Sequence, residues 1–273
     1  MLLVLDVGNT NTVLGIFAGR QLMASWRLTS RRDQTADEYG AFTRILLTGR
    51  GIEPEAITGV AISSTVPTVQ PTLEEMSRRY FGVAPLVVEP GVNVPLPMRV
   101  DVPREVGADR LVNVVAAIEL YGPPLIVIDF GTATTFDCVS PRGEFIGGAI
   151  APGITTAADA LTTRAARLFR VELTQPATAI GRNTVTNLQS GIIFGYAALV
   201  DGLVERLRAE MEGRPRIVAT GGLAGLMAEV ARAIEIVNPD LTLEGLRILH
   251  QGWQERGPSG QPRPPEQPGP ASA

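Results

Sequence analysis

Two stretches of similar sequence decide the fold: LLVLDVGNTNT at residues 2–12 and LIVIDFGTATT at residues 125–135. In each stretch an apolar run ends at an aspartate, Asp6 or Asp129, and a Thr-rich turn follows one apolar residue and a glycine. A short, continuous apolar run of this kind indicates a buried strand. Because the second copy repeats the first within one chain, we predict a duplicated α/β protein with two lobes.

The segments around each copy alternate between strand and helix patterns. In the first half we predict strands at residues 2–5, 12–17, 22–28 and 59–63, and helices at residues 37–47, 68–80 and 107–120. In the second half we predict strands at residues 125–128, 134–139, 144–149 and 217–220, helices at residues 183–211 and 223–233, and closing segments at residues 234–237 and 241–249.

These patterns divide the chain into lobes at residues 1–120 and 121–256. The helix at residues 37–47 carries one apolar face, formed by Tyr39, Phe42, Ile45 and Leu46. The remaining residues, 257–273, contain six prolines and three glycines, and we predict that this tail is disordered.

The composition excludes several classes of protein. The 273 residues are 45% hydrophobic and 19% charged, as in an ordinary folded protein, and the net charge of −4 disfavours nucleic acid and acidic membranes as partners. A single cysteine, Cys138, and a single histidine, His250, leave no internal disulfide and no zinc cluster. We expect Cys138 to be a small core residue and His250 to be a surface or packing residue and not a catalyst. The start MLLVLD lacks the basic segment of a signal peptide, and no run approaches the ~20 apolar residues of a membrane span. We therefore expect a cytoplasmic protein.

The two Asp-x-Gly turns suggest phosphate binding of an unusual kind. A strand pattern follows the first turn, whereas P-loops and dinucleotide fingerprints need a helix there, and neither turn contains such a fingerprint. The alternative is a hairpin whose backbone N–H groups and Thr hydroxyls surround a phosphate, with Asp6 holding a hydrated Mg²⁺. Two such hairpins facing each other would hold a triphosphate in a cleft between the lobes. The simpler interpretation, that each Asp-x-Gly only ends a strand, stays open.

Seven short motifs together resemble the type III pantothenate kinases, which belong to the superfamily of actin, sugar kinases and heat-shock ATPases. In order along the chain they are DVGNTNT at residues 6–12, EVGADR at 105–110, DFGTATTFD at 129–137, GGAIAPG at 147–153, GRNT at 181–184, QSGIIFG at 189–195 and ATGGLA at 219–224. The resemblance covers about residues 1–250 and implies an actin-like, ribonuclease H-like fold. It also implies ATP-dependent phosphorylation of pantothenate to 4′-phosphopantothenate, the first step of coenzyme A biosynthesis.

The resemblance also implies roles for particular residues. Asp109 would be the general base, Asp129 would hold a monovalent cation (K⁺ or NH₄⁺), and a homodimer would form through the long helix that begins near Asn183. The residues implied for ATP and its phosphates are Asp6, Val7, Gly8, Asn9, Thr10, Asn11, Thr12, Val13, Thr132, Gly221 and Gly222. Those implied for pantothenate are Gly107, Ala108, Asp109, Arg110 and Thr184, with Arg110 facing its carboxylate or the transferred phosphate.

The sequence departs from the family pattern at two places. Val102 stands where an asparagine is expected, and Phe169 follows Leu168 where a proline is expected, and both substitutions could reshape the pantothenate pocket. Two other functions remain as alternatives at this point. One is another phosphotransferase of the superfamily, such as a sugar kinase, or a polyphosphate phosphatase, and the other is a non-catalytic regulatory relative.

Overall fold

A computed structural model describes residues 1–165 and 167–256, so the predicted disorder at residues 257–273 lies outside the described residues. Its first sheet has the strand order β3-β2-β1-β4-β5. The strands are β1 (Leu2–Val7), β2 (Asn11–Ala18), β3 (Gln21–Thr29), β4 (Gly59–Ser64) and β5 (Leu86–Val87). The helices of this half are α1 (Ala36–Thr48), α2 (Gln70–Phe81) and α3 (Ala108–Tyr121), with short 3₁₀ turns at Pro54–Ala56 and Pro103–Glu105.

The second sheet repeats the topology of the first. Its order is β10-β9-β6-β7-β8, formed by β6 (Leu125–Phe130), β7 (Ala133–Val139), β8 (Phe145–Pro152), β9 (Arg216–Gly221) and β10 (Ile236–Val237). In both sheets the central strand pairs antiparallel with the next strand of a meander on one side and parallel with a later strand on the other. The remaining helices are α4 (Ile154–Arg164), α5 (Thr184–Glu210), α6 (Ala224–Val230) and α7 (Leu241–Arg256). The predicted duplicated, two-lobed α/β fold is confirmed.

Apart from Asp6 and Asp129 near their ends, the central strands β1 and β6 are apolar because both of their faces are covered. On β1, Leu3 and Leu5 pack into a core with α1 and α2, while Val4 faces α3 and α7 on the other side. On β6, Leu125 and Val127 face that same core with α3 and α7. Helices α3 and α7 therefore form a layer between the two sheets, which is why strands at the centre of each sheet have no polar face.

One local prediction is only half right and one helix escapes prediction, each for a physical reason. Of the apolar face proposed for α1, Tyr39 is buried and Leu46 packs against the core, but Phe42 and Ile45 are exposed, and Gly40 and Leu47 are buried instead. The helix turns this face inward because Gly40 lies directly against the Tyr80 ring of α2, where a larger side chain would not fit. Helix α4 was not predicted, since its sequence ITTAADALTTR is rich in Thr, which favours helices weakly.

The lobe boundary between residues 120 and 121 stays a prediction. Helix α7 packs on β1 and β4 of the first sheet, although it follows the second sheet in the chain.

Cys138 and His250 are both buried, as expected for packing residues. Burial raises the pKa of the Cys138 thiol to about 12 and lowers the pKa of His250. Of the helices described, none combines the length and apolar character that crossing a bilayer requires.

Candidate active site

The two Asp-x-Gly turns meet at the interface between the lobes. Thr10, in the turn between β1 and β2, and Thr132, in the turn between β6 and β7, have their Oγ1 atoms 3.0 Å apart. Each turn is closed by a backbone hydrogen bond, from Gly8 N to Asn11 O (2.9 Å) and from Gly131 N to Ala133 O (3.0 Å). The hairpins therefore face each other, which is the arrangement that a clamp on a polyphosphate needs.

Neighbouring elements hold both turns in place. Gly153 N and Thr156 Oγ1, at the start of α4, both donate to Thr132 O at 3.1 and 2.8 Å. In the first turn, Thr12 is buried and its hydroxyl is 2.9 Å from that of Ser30, while Val7 is also buried. The side chains of Val7 and Thr12 therefore pack inside the hairpin. Its outward-facing groups are the backbone and the exposed side chains of Asn9 and Thr10.

Three carboxylates gather below the turns. Asp6 and Asp129 occupy corresponding positions on the central strands, opposite Ser63 and Thr220 of the parallel neighbours, and Asp109 lies in the first turn of α3. Burial and, to a smaller extent, the charges of Asp109 and Asp129 raise the pKa of Asp6 to about 7. Burial and the charge of Asp109 raise the pKa of Asp129 to about 6. The three groups are close enough to feel one another's charge.

The electrostatics of Asp109 suit a proton acceptor. Burial raises its pKa above the ordinary value, while the backbone N–H of Arg110, which donates to Asp109 Oδ1 at 2.8 Å, and the Arg110 charge oppose the rise. A carboxylate whose pKa is raised is a stronger base than one in water. Gly107, at the N-terminal end of α3, allows this position because a Cβ there would lie 2.5 Å from Asp109 Oδ1.

Asp129 is oriented by a chain of hydrogen bonds that the sequence did not reveal. Asn113 of α3 donates from Nδ2 to Asp129 Oδ2 at 3.0 Å, and Thr242 of α7 donates to Asn113 Oδ1 at 2.7 Å. Asn113 is completely buried. An asparagine inside the apolar run LVNVVAA was the available signal, because a buried amide needs hydrogen-bond partners.

A second residue missed by the sequence analysis is Asp137 on β7. Its Oδ1 accepts from Arg110 Nε at 2.8 Å and lies 2.6 Å from Arg110 Nη2, and Asp137 itself is completely buried. Burial raises the pKa of Asp137, and the Arg110 guanidinium opposes that rise. An ion pair thus holds Arg110 beside the cluster of three carboxylates.

The end of β9 explains the Gly221-Gly222 pair. Gly221 has a φ of +92°, and a Cβ there would lie 2.5 Å from Asp129 Oδ1, so glycine is required by both backbone and carboxylate. At Gly222 an added Cβ would meet nothing within 4 Å. The absence of a side chain at Gly221 therefore leaves room for the Asp129 carboxylate, and the open space expected for a nucleotide lies at Gly222.

The residues present fit a hydrated cation better than a directly chelated one. Within residues 1–165 and 167–256, no group of three or more His, Cys, Asp or Glu is arranged to hold a metal. Asp6 Oδ1, however, is buried with no hydrogen-bond partner among the described residues, beside two further negative charges. A cation with its water shell would satisfy this oxygen and offset the repulsion.

Some predicted residues are not brought to this cluster. Thr184 is the exposed first residue of α5, whose N-terminus is capped by Asn183 Oδ1 accepting from Thr186 N at 3.0 Å. In the described part of the chain, no hydrogen bond joins Thr184 to the carboxylates. Val102 and Phe169, the two departures from the family pattern, are both exposed.

A cavity of about 640 Å³ lies elsewhere, at the opposite end of β1. Arg247 and His250 of α7 line it, together with Phe17 of β2. Arg247 Nε already donates to Glu244 Oε2 at 2.9 Å, and its guanidinium lies over the Phe17 ring. We assign the chemistry to the cleft between the turns and not to this cavity, because the carboxylates lie in the cleft.

Comparison with known proteins identifies relatives over nearly the whole folded chain. A model of the family described as type III pantothenate kinase matches residues 2–206. A type III pantothenate kinase from Moorella thermoacetica is 55% identical over 251 residues, which cover 92% of this chain and 99% of the relative.

Solved structures of low sequence identity show the same fold. One, described as a Baf family transcriptional activator from Campylobacter jejuni, has a TM-score of 0.59 at 18% identity and covers 91% of this chain and 97% of that chain. Another, component A of the (R)-2-hydroxyglutaryl-CoA dehydratase from Acidaminococcus fermentans, has a TM-score of 0.53 at 13% identity and covers 91% and 95% of the two chains. Both are evidence about architecture alone.

The two glycines at the end of β9 provide a matched test of the site. Gly221→Ala is expected to lower the free energy of unfolding by about 1–3 kcal/mol, because the methyl group meets Asp129 and the positive φ becomes strained. Gly222→Ala, in open space, is expected to change it by less than about 0.5 kcal/mol. Urea unfolding of both variants measures the difference, and equal effects would contradict the placement of Gly221 against Asp129.

Proposed function

This chain belongs to the type III pantothenate kinase family, whose members are ATP-dependent phosphotransferases, and from that premise we propose that Asp109 is its general base. The protein phosphorylates pantothenate to 4′-phosphopantothenate. The observation that carries the proposal is the position of Asp109, in the first turn of α3, within range of the charges of Asp6 and Asp129 at the interface of the two turns.

The proposed reaction needs one proton acceptor and accurate positioning. The oxygen of the terminal hydroxyl of pantothenate attacks the γ-phosphorus of ATP, the bond from that phosphorus to the β–γ bridging oxygen breaks, and ADP leaves. Asp109 accepts the hydroxyl proton. In a loose phosphoryl-transfer transition state, positioning and charge neutralisation account for most of the catalysis, and a positioned base adds about 10²–10⁴-fold.

The two turns are proposed to bind the phosphates of ATP. Backbone N–H groups from residues 6–13, the Thr10 and Thr132 hydroxyls and the open space at Gly222 are the groups available to the nucleotide. Asp6 would hold Mg²⁺ through water, and Asp129, fixed by Asn113, would hold K⁺ or NH₄⁺. When bound, these cations neutralise negative charge on the phosphates.

Pantothenate is proposed to bind beside the start of α3. Residues 107–110 lie there, and Arg110 carries a positive charge suited to the carboxylate of pantothenate or to the transferred phosphate. Thr184 contributes to this pocket only if α5 approaches it more closely than in the single chain. We further propose that the protein acts in the cytoplasm, where ATP is available.

A homodimer is proposed to form through α5. The exposed face of this helix carries a stripe of small residues, Gly191, Gly195, Ala198 and Gly202. At each of the three glycines an added Cβ would meet nothing within 4 Å, so a second helix could approach the backbone closely. Charged residues on α5 begin only at Asp201, towards its C-terminal end.

Asp109→Asn tests the proposed base. With saturating ATP, Mg²⁺ and K⁺, we expect kcat for 4′-phosphopantothenate formation to fall about 10²–10⁴-fold while ATP still binds, because the amide cannot accept the proton. Asp37→Asn, a matched change at an exposed aspartate of α1, should leave kcat unchanged.

Each outcome of this assay has a separate meaning. An Asp109→Asn variant that keeps kcat within about threefold of the wild type would overturn the assignment of the base and leave the kinase activity intact. Absence of product from folded wild-type protein would overturn the activity itself. A wild-type rate that is the same in Na⁺ as in K⁺ or NH₄⁺ would contradict the monovalent site at Asp129.

The dimer proposal is tested by Ala198→Glu. A charge in the centre of the small-residue stripe should convert a dimer of about 58 kDa, twice the 29.0 kDa chain, into a monomer. Light scattering after size-exclusion chromatography measures this mass. Ala41→Glu, the same change at an exposed position of α1, is the control and should leave the dimer intact. A dimer that survives Ala198→Glu would place the interface elsewhere.

A further inference from the structure

We propose that Asp137 is a positioning residue for phosphoryl transfer, which acts by holding the Arg110 guanidinium in one orientation and away from Asp109. The inference rests on the proposed function of this site. Asp137 does not itself face the cleft, since it is completely buried on β7 between β6 and β8. Its hydrogen-bonded contact with the cleft therefore runs through Arg110, and its charge also lies within range of Asp109 and Asp129.

The ion pair uses one edge of the guanidinium and leaves the other free. Asp137 Oδ1 is 2.8 Å from Nε and 2.6 Å from Nη2 of Arg110, whereas Nη1 makes no hydrogen bond within the described residues. The flat face of the same guanidinium lies 5.7 Å from the centre of the Phe145 ring. With one edge and one face fixed, and 15% of the side chain exposed, Arg110 presents its Nη1 edge in a defined direction.

The surrounding charges explain why such a restraint is needed. Asp109 is the adjacent residue, and its pKa is already lowered in part by the Arg110 charge. Without Asp137, the guanidinium would be free to pair with the Asp109 carboxylate. This pairing would weaken the base and draw the positive charge of Arg110 away from the substrate. Asp137 supplies a competing carboxylate, which occupies the Nε and Nη2 edge of the guanidinium.

The energetics argue that this pair is retained for more than stability. Burying a carboxylate and a guanidinium costs several kcal/mol per ion, and their attraction often does no more than offset that penalty. Apolar residues of similar volume would stabilise the same space at least as well. Beside a cleft that already holds three carboxylates and must receive a polyphosphate, a fourth buried negative charge is unfavourable unless it contributes to function. Orienting Arg110 is a task that the geometry supports.

A double-mutant cycle on Arg110 and Asp137 tests the proposal. Asp137→Asn should lower kcat/KM for pantothenate about 10–100-fold, because a misplaced contact group costs on that order, while the Kd for ATP stays within about twofold. In the Arg110→Met background, Asp137→Asn should change kcat/KM by less than about twofold, since the group it positions is absent. Glu235→Gln, which breaks the remote Arg208–Glu235 ion pair of 2.7 Å, should leave kcat/KM unchanged.

Two results would overturn the proposal: a kcat/KM for Asp137→Asn within about twofold of the wild type, or an equal loss from Asp137→Asn in both backgrounds. If Asp137→Asn is too unstable to assay, Arg110→Met/Asp137→Leu replaces it, because no buried charge is then left unpaired. This double variant should have the kcat/KM of Arg110→Met and a higher Tm. A lower kcat/KM than that of Arg110→Met would also overturn the proposal. Wild-type and Asp109→Asn rates measured alongside test the proposed function separately.

Discussion

The burial of carboxylates near the ends of the two central strands, within range of one another's charge, is the constraint on which the site depends. Asp6 and Asp129 are the next-to-last residues of β1 and β6, and burial, together with neighbouring negative charge, raises their pKa values to about 7 and about 6. Because these values lie above the ordinary 3.8, ionising the two groups opposes folding, and their contribution to the free energy of unfolding falls as pH rises from about 4 to about 7. A cation between the carboxylates and the phosphates would relieve that repulsion, so the same arrangement that destabilises the empty site favours binding.

Helix α3 connects this constraint to the rest of the molecule. Its first turn carries Asp109 and Arg110, and one turn later Asn113 holds Asp129 through a hydrogen bond of 3.0 Å. Its apolar residues lie in the core shared by both sheets and α7. The proposed base, the proposed cation site and the packing between lobes therefore depend on one rigid element, which is how a site on rigid scaffolding keeps its geometry. The ion pair with Asp137 extends this control to the arginine beside the base.

The sequence predicts what depends on local pattern and misses what depends on distant partners. The repeat at residues 2–12 and 125–135 predicts both central strands and both turns, because a continuous apolar run before a turn is a local signal. The partners Asn113 and Asp137 escape prediction, since each is a single polar residue whose significance depends on a contact at least 16 positions away. The buried face of α1 is missed for the same reason, because Gly40 against Tyr80 decides it and not the hydrophobicity of the helix. The roles proposed for Asp109 and Thr184 come from resemblance to a family and not from pattern alone.

The most direct test of this account is the titration of the aspartate carboxyl groups in ligand-free protein, followed by NMR of ¹³Cγ-labelled aspartate and assigned with Asp6→Asn and Asp129→Asn. The account predicts a carboxyl that titrates at about 7 and is lost in Asp6→Asn, and a second at about 6 that is lost in Asp129→Asn. In the Asp129→Asn variant, the Asp6 carboxyl should titrate lower than in the wild type, because the Asp129 charge that helps to raise its pKa has been removed. Titration of both carboxyls near the ordinary value of 3.8 would contradict the account, because the carboxylates would then be neither buried nor close together.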